Sequence, residues 1–182
     1  KLNLHICQLD LISYLKQVYQ DFADQAQLQN IHFEFQTDAE SLMCWYDARQ
    51  LRKVFSNLLS NALKQTPEKG KVELQIEEKP TTIEIRVIDS GKGIPQEALP
   101  YIFDRFYQVD AAVSSPGSGI GLALSKGLVE LHHGQIDVKS AMQYGTIFTV
   151  TLPKENLFEN DSYVTFITPE ASDYNLICAP IE

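Results

Sequence analysis

Asn57-Leu58-Leu59-Ser60-Asn61-Ala62-Leu63-Lys64 decides how this chain is read. Asn57, Asn61 and Lys64 recur at i, i+4 and i+7, so they share one face of a helix. The leucines between them take the other face. The pattern runs from Ala48, just after Asp47, to about Gln65, with Leu51, Val54, Phe55, Leu58, Leu59 and Ala62 as its apolar positions. Thr66-Pro67 and Gly70 end it. A side-chain amide oxygen is a competent ligand for Mg²⁺ beside substrate phosphates. A lysine one turn later meets phosphate as a point charge. Taken alone, a solvated polar stripe on an amphipathic helix is the better reading.

Outward from this helix the periods alternate. Residues 9–28 have a helical rhythm (Leu11, Leu15, Val18, Phe22) with Asp10 as a candidate cap. Residues 31–35 alternate like a half-buried strand, and 42–46 are a second short apolar run. After the helix, Val72, Leu74 and Ile76, then Ile83, Ile85 and Val87, mark two strands joined by a turn at Lys79-Pro80-Thr81. Residues 96–106 read as a short helix and turn, 110–119 as a small polar loop, and 120–132 as a helix. Residues 135–139 and 146–152 read as closing strands, with Gly145 before the second. Neighbouring strand pairs read as antiparallel, so the expectation is α+β, a two-layer α/β sandwich. After Pro153 the chain turns acidic and irregular, either a linker or a docked segment, with 163–167 as a candidate strand.

Three further motifs carry candidate chemistry. Asp89-Ser90-Gly91-Lys92-Gly93-Ile94-Pro95 follows a strand. An Asp there accepts hydrogen bonds from an exocyclic amine such as adenine N6, and glycines let backbone approach a flat ring; Asp-x-Gly is also a common turn. Gly117-Ser118-Gly119-Ile120-Gly121 precedes a helix, whose free N–H groups suit phosphate. It does not follow a strand, so it is not a dinucleotide fingerprint, and Walker A spacing is absent. Tyr101-Ile102-Phe103-Asp104-Arg105-Phe106-Tyr107 supplies core packing by Phe103 and Phe106, and an arginine within reach of a terminal phosphate.

Each motif is weak alone; their order is not. Together they resemble the GHKL ATPase superfamily, and within it the sensor histidine kinases. NLLSNALKQTP looks like the N box, DSGKGIP the first glycine box, YIFDRFYQVD the F box, and GSGIGLALSKGLVELHHGQI the second glycine box. The resemblance spans roughly 9–153. It implies the Bergerat fold, a mixed, mostly antiparallel sheet packed on three main helices. It implies ATP and Mg²⁺ as ligands: Asp89 reads adenine, Asn61 holds the metal, Lys64 and Arg105 face phosphates, and Asn57 supports the same site. Gly91, Gly93, Ile94, Phe106, Gly117, Ser118, Gly119, Gly121 and Leu122 are the further nucleotide-binding positions it implies, with a lid over 110–118. Gln65 departs from the family's Tyr, His or Phe in the pocket wall. Gln108 departs from a frequent Arg. Both point to slow phosphate transfer.

Hydrolytic members of the superfamily carry a Glu one turn before the metal-binding Asn, as general base. Here that position is Asn57, so transfer to an external nucleophile is the better reading; it needs positioning and charge neutralisation above all. The acceptor is expected to be a histidine on a separate dimerisation domain. None of His5, His32, His132 and His133 has the family's acceptor setting; His132 and His133 read as helix-end residues, favourable there when protonated. This chain by itself is therefore expected not to phosphorylate itself. The expected organisation is a connector at 1–10, a catalytic domain at 11–153 and a tail at 154–182. Lys1 reads as a cut point. A response regulator or receiver domain is the implied downstream partner, and the parent is expected to be membrane-anchored with this domain cytoplasmic. A regulatory ATP-binding module with little phosphate transfer, or an interaction module without nucleotide, remain alternatives.

Composition agrees with a globular domain: 182 residues, 44% apolar and 21% charged. The net charge of −9 argues against nucleic acid as partner. Three scattered cysteines, Cys7, Cys44 and Cys178, make neither a disulfide framework nor a zinc site. No run approaches the ~20 apolar residues of a membrane span and no signal peptide opens the chain, so no direct membrane contact by this domain is expected.

Overall fold

Alternation builds the main sheet. In β4 (Lys71–Glu78), Val72, Leu74 and Ile76 are buried; in β5 (Thr82–Asp89), Ile83, Ile85, Val87 and Asp89 are. These strands form an antiparallel hairpin. β2 (His32–Thr37) joins β4 in parallel, and β7 (Gly145–Pro153) and β6 (Gln135–Ala141) continue the sheet antiparallel, in the order β2-β4-β5-β7-β6. Its inner face packs on α1 (Leu11–Leu28), α2 (Ala48–Gln65) and α3 (Gly121–Leu131). This is the expected two-layer α+β sandwich with a mixed, mostly antiparallel sheet. The computed structural model describes residues 2–109 and 119–168. The expected lid at 110–118, with Gly117 and Ser118, lies outside the described residues, as do Cys178 and the tail beyond 168.

Four details differ from the sequence expectation. The first helix begins at Leu11, because residues 4–10 are a strand, β1 (Leu4–Asp10). Asp10 ends it: its carboxylate accepts the N–H groups of Ile12 (3.2 Å), Ser13 (3.3 Å) and, across the fold, Leu42 (2.9 Å). Second, the sequence neighbours β2 and β3 (Met43–Tyr46) do not pair with each other but lie in different sheets, and β2 supplies the parallel pair of the mixed sheet. The crossover from β2 to β4 contains β3 and all of α2, long enough for parallel pairing. Third, the short helix within residues 96–106 is a single 3₁₀ turn, Leu99–Tyr101, with turns on either side of it. Fourth, the folded unit is wider than 11–153. β1 forms a second sheet with β3 and with β8 (Val164–Phe166), in the order β3-β1-β8. Leu4, Ile6 and Phe158 make a small core beneath it, so the tail through residue 168 is docked.

His132 joins the two parts of the fold, and corrects the reading of it as a charged helix end. It is 1% exposed. Its Nδ1–H donates to the Leu128 carbonyl (2.7 Å), and its Nε2 accepts the Asp47 N–H (3.1 Å). An Nε2 that accepts cannot carry a proton, so the ring is neutral. Burial is the main cause that pushes its pKa below the ordinary value, against the Leu128 carbonyl and the Asp47 charge. His133 is exposed and meets Asp161 at 2.6 Å.

A buried neutral histidine contributes stability that is complete above its ordinary pKa and is lost as pH falls below it. Unfolding free energy measured in urea should therefore decline from pH 7 towards pH 5. His132→Gln should flatten that slope and cost about 1–3 kcal/mol at pH 7, by disturbing the buried Asp47 amide. Asp10 loses stability only in the carboxylate range: burial raises its pKa, but the Ser13 hydroxyl and the Leu42, Ile12 and Ser13 amides outweigh it and leave it lowered.

Candidate functional site

Asp89 closes β5, directly opposite Thr146 of β7. It is 6% exposed. One carboxylate oxygen accepts the Gly91 N–H at 2.8 Å. Burial raises its pKa, opposed by hydrogen bonds from the Gly91 and Thr146 amides. When ionised, the group is acceptor-only and held by backbone, ready for an N–H₂ donor.

The loop after Asp89 is clamped by the β6–β7 turn. Gly93 (φ +77°) leaves no room for a side chain: a Cβ there would lie 2.0 Å from the Ala141 carbonyl oxygen. At Gly145 (φ +96°) it would lie 1.9 Å from the Asp89 carbonyl oxygen, and at Gly91 2.6 Å from that of Gln65. Hydrogen bonds complete the clamp. Gln143 N–H donates to the Lys92 carbonyl (2.7 Å), Ile94 N–H to Ser140 Oγ (2.8 Å), and Gln96 Nε2 to the Ser140 carbonyl (2.7 Å). The space a side chain would need at Gly91 and Gly93 is thus filled by this protein's own backbone. That is a different reason for glycine than the approach to a flat ring read from the sequence. Gln65 is exposed, and its backbone carbonyl is what meets Gly91.

The polar face of α2 meets α3. Asn57 Nδ2 donates to the buried Ser125 Oγ at 3.1 Å. Gly121 allows the approach, since a Cβ there would lie 2.4 Å from Asn57 Oδ1. One turn on, Asn61 is half-buried, and its amide has no hydrogen-bond partner among the described residues. Lys64 is exposed in the last turn. The α3 N-terminus carries no side-chain cap, and its first helical bond is Leu124 N–H to Ile120. The Gly121, Leu122 and Ala123 amides therefore lie outside the helical ladder, as an anion site requires. Among the described residues no group of three or more His, Cys, Asp or Glu is placed to hold a metal ion. The open Asn61 amide fits a Mg²⁺ that takes most of its ligands from phosphates and water.

Arg105 and Phe106 sit elsewhere. With Ile120, Leu124, Leu128 and Leu131 they line a groove of about 560 Å³ in whose lining neither Asp89 nor Asn61 takes part. Phe106 is 73% exposed, which corrects the expectation of core packing; Phe103 alone packs inward, 6.2 Å from the Phe148 ring. Phe106 has φ +67°, and its N–H is held by the Gly119 carbonyl at 2.8 Å. Gly119 (φ +65°) admits the Phe106 backbone where a Cβ would be only 2.7 Å from it. Ile94 and Leu122 are partly buried against the main core. Sequence reasoning missed Ser125, Ser140, Gly145 and Thr146 as parts of the site. From the sequence Gly145 reads only as a turn residue; the structure makes it the first residue of β7, where a glycine marks a close backbone approach.

Residues 46–156 match the family described as histidine kinase-, DNA gyrase B-, and HSP90-like ATPase. Histidine kinase P4 of Formosa agariphila is 36% identical over 156 residues, 83% of this chain and 11% of that protein. Sensor histidine kinase YvrG of Bacillus subtilis is 32% identical over 146 residues, 80% of this chain and 25% of that protein. This chain thus spans a quarter or less of either curated relative. The catalytic domain of histidine kinase ThkA superposes with a TM-score of 0.74 at 29% identity, over 83% of this chain and 99% of that one.

Two glycines of α3 separate approach from flexibility. Gly121→Ala should cost about 1–3 kcal/mol in urea unfolding, by pushing Asn57 off Ser125. Gly127→Ala, where nothing lies within 4 Å of the new methyl, should stabilise by about 0.4–1 kcal/mol.

Proposed function

The chain belongs to the histidine kinase-, DNA gyrase B-, and HSP90-like ATPase family, and we propose that this domain binds ATP with Mg²⁺ and delivers the γ-phosphate to a histidine on a separate dimerisation domain. Asn57 carries the reading. Its side chain is an amide tied to Ser125, a poor proton acceptor one turn from Asn61, so water is not activated there and transfer to an outside nucleophile is favoured.

The chain's own groups divide the work. Asp89 accepts the adenine amine, and the Gly91 and Thr146 amides keep it oriented. Asn61 holds the cation, which neutralises phosphate charge when bound. The uncapped amides of α3 and the ammonium of Lys64 meet the phosphates. Arg105 lines the apolar groove, so an acceptor helix seated there would meet it. The groove supports that partner: its Ile120, Leu124 and Leu131 lining suits one apolar face of an amphipathic helix. A response regulator downstream, as in the solved complex of ThkA with the response regulator TrrA, completes the proposal. By the same reading the parent is anchored in a membrane and this domain lies in the cytoplasm. No described helix is long and apolar enough to cross a membrane.

Calorimetric titration tests the nucleotide. Mg-ATP should bind, Mg-GTP more weakly, and Asp89→Asn should abolish both. Because burial raises the Asp89 pKa, ATP affinity should fall on acidification at a higher pH than an ordinary exposed aspartate would give. Phosphohistidine should form only when an acceptor domain is supplied. Leu124→Asp should block that transfer while leaving ATP binding unchanged. ATP binding with no transfer to any supplied acceptor would instead identify a regulatory module.

A further inference from the structure

Ser140, on β6, is a hydroxyl with three polar neighbours. Its Oγ lies 2.8 Å from the Ile94 amide nitrogen, 2.8 Å from the Gly145 carbonyl oxygen and 2.8 Å from Thr146 Oγ1. A hydroxyl has one proton and two lone pairs. The Ile94 amide can only donate, so it takes one lone pair. The Gly145 carbonyl can only accept, so it takes the proton. What remains on Ser140 is a lone pair, and Thr146 must give its own proton to it. The Thr146 rotor is thereby fixed, and its oxygen is left with acceptor capacity alone.

Thr146 is the β7 residue directly opposite Asp89, and both side chains are buried on the inner face. An ionised Asp89 is also acceptor-only. We infer that Ser140 is a positioning residue for base selection: by locking Thr146 as an acceptor beside Asp89, it makes a two-acceptor wall that takes a purine amine and rejects a purine carbonyl in its place. This rests on the nucleotide reading proposed above and deepens it. Without Ser140, the Thr146 hydroxyl is free to turn and donate to a carbonyl. A pocket built for one hydrogen-bond polarity rejects the opposite one because a buried group is left unpaired; a hydroxyl that can turn removes that penalty.

The probe is a pair of nucleotides that differ in this one group, Mg-ATP and Mg-ITP, titrated calorimetrically into the full chain and into Ser140→Ala and Ser140→Thr. The wild-type chain should prefer ATP clearly. In Ser140→Ala the ATP/ITP preference should fall by about tenfold, chiefly through tighter ITP binding. Ser140→Thr, which keeps the hydroxyl on a strand that accepts β-branched residues, should restore it. Melting temperature is not the readout, since losing the partner of the Ile94 amide lowers it in any case. Equal loss of both nucleotides in Ser140→Ala, with the preference unchanged, would overturn the inference, as would a wild-type chain that binds both alike. Failure of the folded wild-type chain to bind ATP would overturn the nucleotide reading itself, and this inference with it.

Discussion

Asp47 is the point on which the other elements rest. Its carboxylate caps α2 through the Gln50 amide (3.0 Å) and holds β1 through the His5 amide (2.8 Å). Its own N–H goes to His132 at the end of α3, and its carbonyl accepts the Leu51 N–H to begin the helical ladder. A shift at this residue would move the start of α2, and with it the face that carries Asn57, Asn61 and Lys64. It would also move the end of α3, whose other end supplies the uncapped amides. The Phe158 ring lies against both His132 and His133, so the docked tail covers this junction. The small second sheet is thus not an appendage. It braces the two helices between which the candidate phosphate site lies.

The Asp89 end of the candidate site is built differently, by backbone contact. The β6–β7 turn presses on the loop after Asp89 so closely that glycine is required on both sides, at Gly93 and at Gly145. Part-buried hydrogen bonds through Ser140 then tie the turn to the loop. Such an arrangement suits discrimination better than affinity: groups with no freedom to turn cannot adapt to a ligand of the wrong polarity.

An acidic chain that handles an anionic ligand must keep positive charge where it is needed. On the outer face of the sheet, charges are consumed locally. Lys71 bridges Glu34 and Glu73, and Arg86 and Lys79 share Glu77, with Arg86 also meeting Glu84. Lys71 first, then His32 and Gln36, hold the Glu34 carboxyl down to about 2. Lys64 and Arg105 have no ion pair among the described residues and stay available. The net charge of −9 therefore says little about the site, because screening confines each exposed charge to its neighbourhood.

The sequence by itself determined the periodic elements and the list of polar groups. Alternation in 72–76 and 83–87 and the helical stripe of 48–65 are local consequences of which residues must be buried, so they could be read without coordinates. The four ordered motifs likewise named Asp89, Asn57, Asn61 and Lys64 as candidates, because their spacing lies within one helix or one strand end. Only the tertiary structure decided that residues 4–10 form a strand, since that segment is held by Asp47, Tyr163 and β3, all distant in sequence. It alone turned His132 from an expected cation into a neutral strut, because burial and a partner 85 residues away set its protonation. The same holds for Ser140: a serine in a strand is unremarkable until the fold sets a donor, an acceptor and a second hydroxyl around it. Local pattern encodes which way a side chain faces; what it meets there depends on contacts that no short stretch of sequence contains.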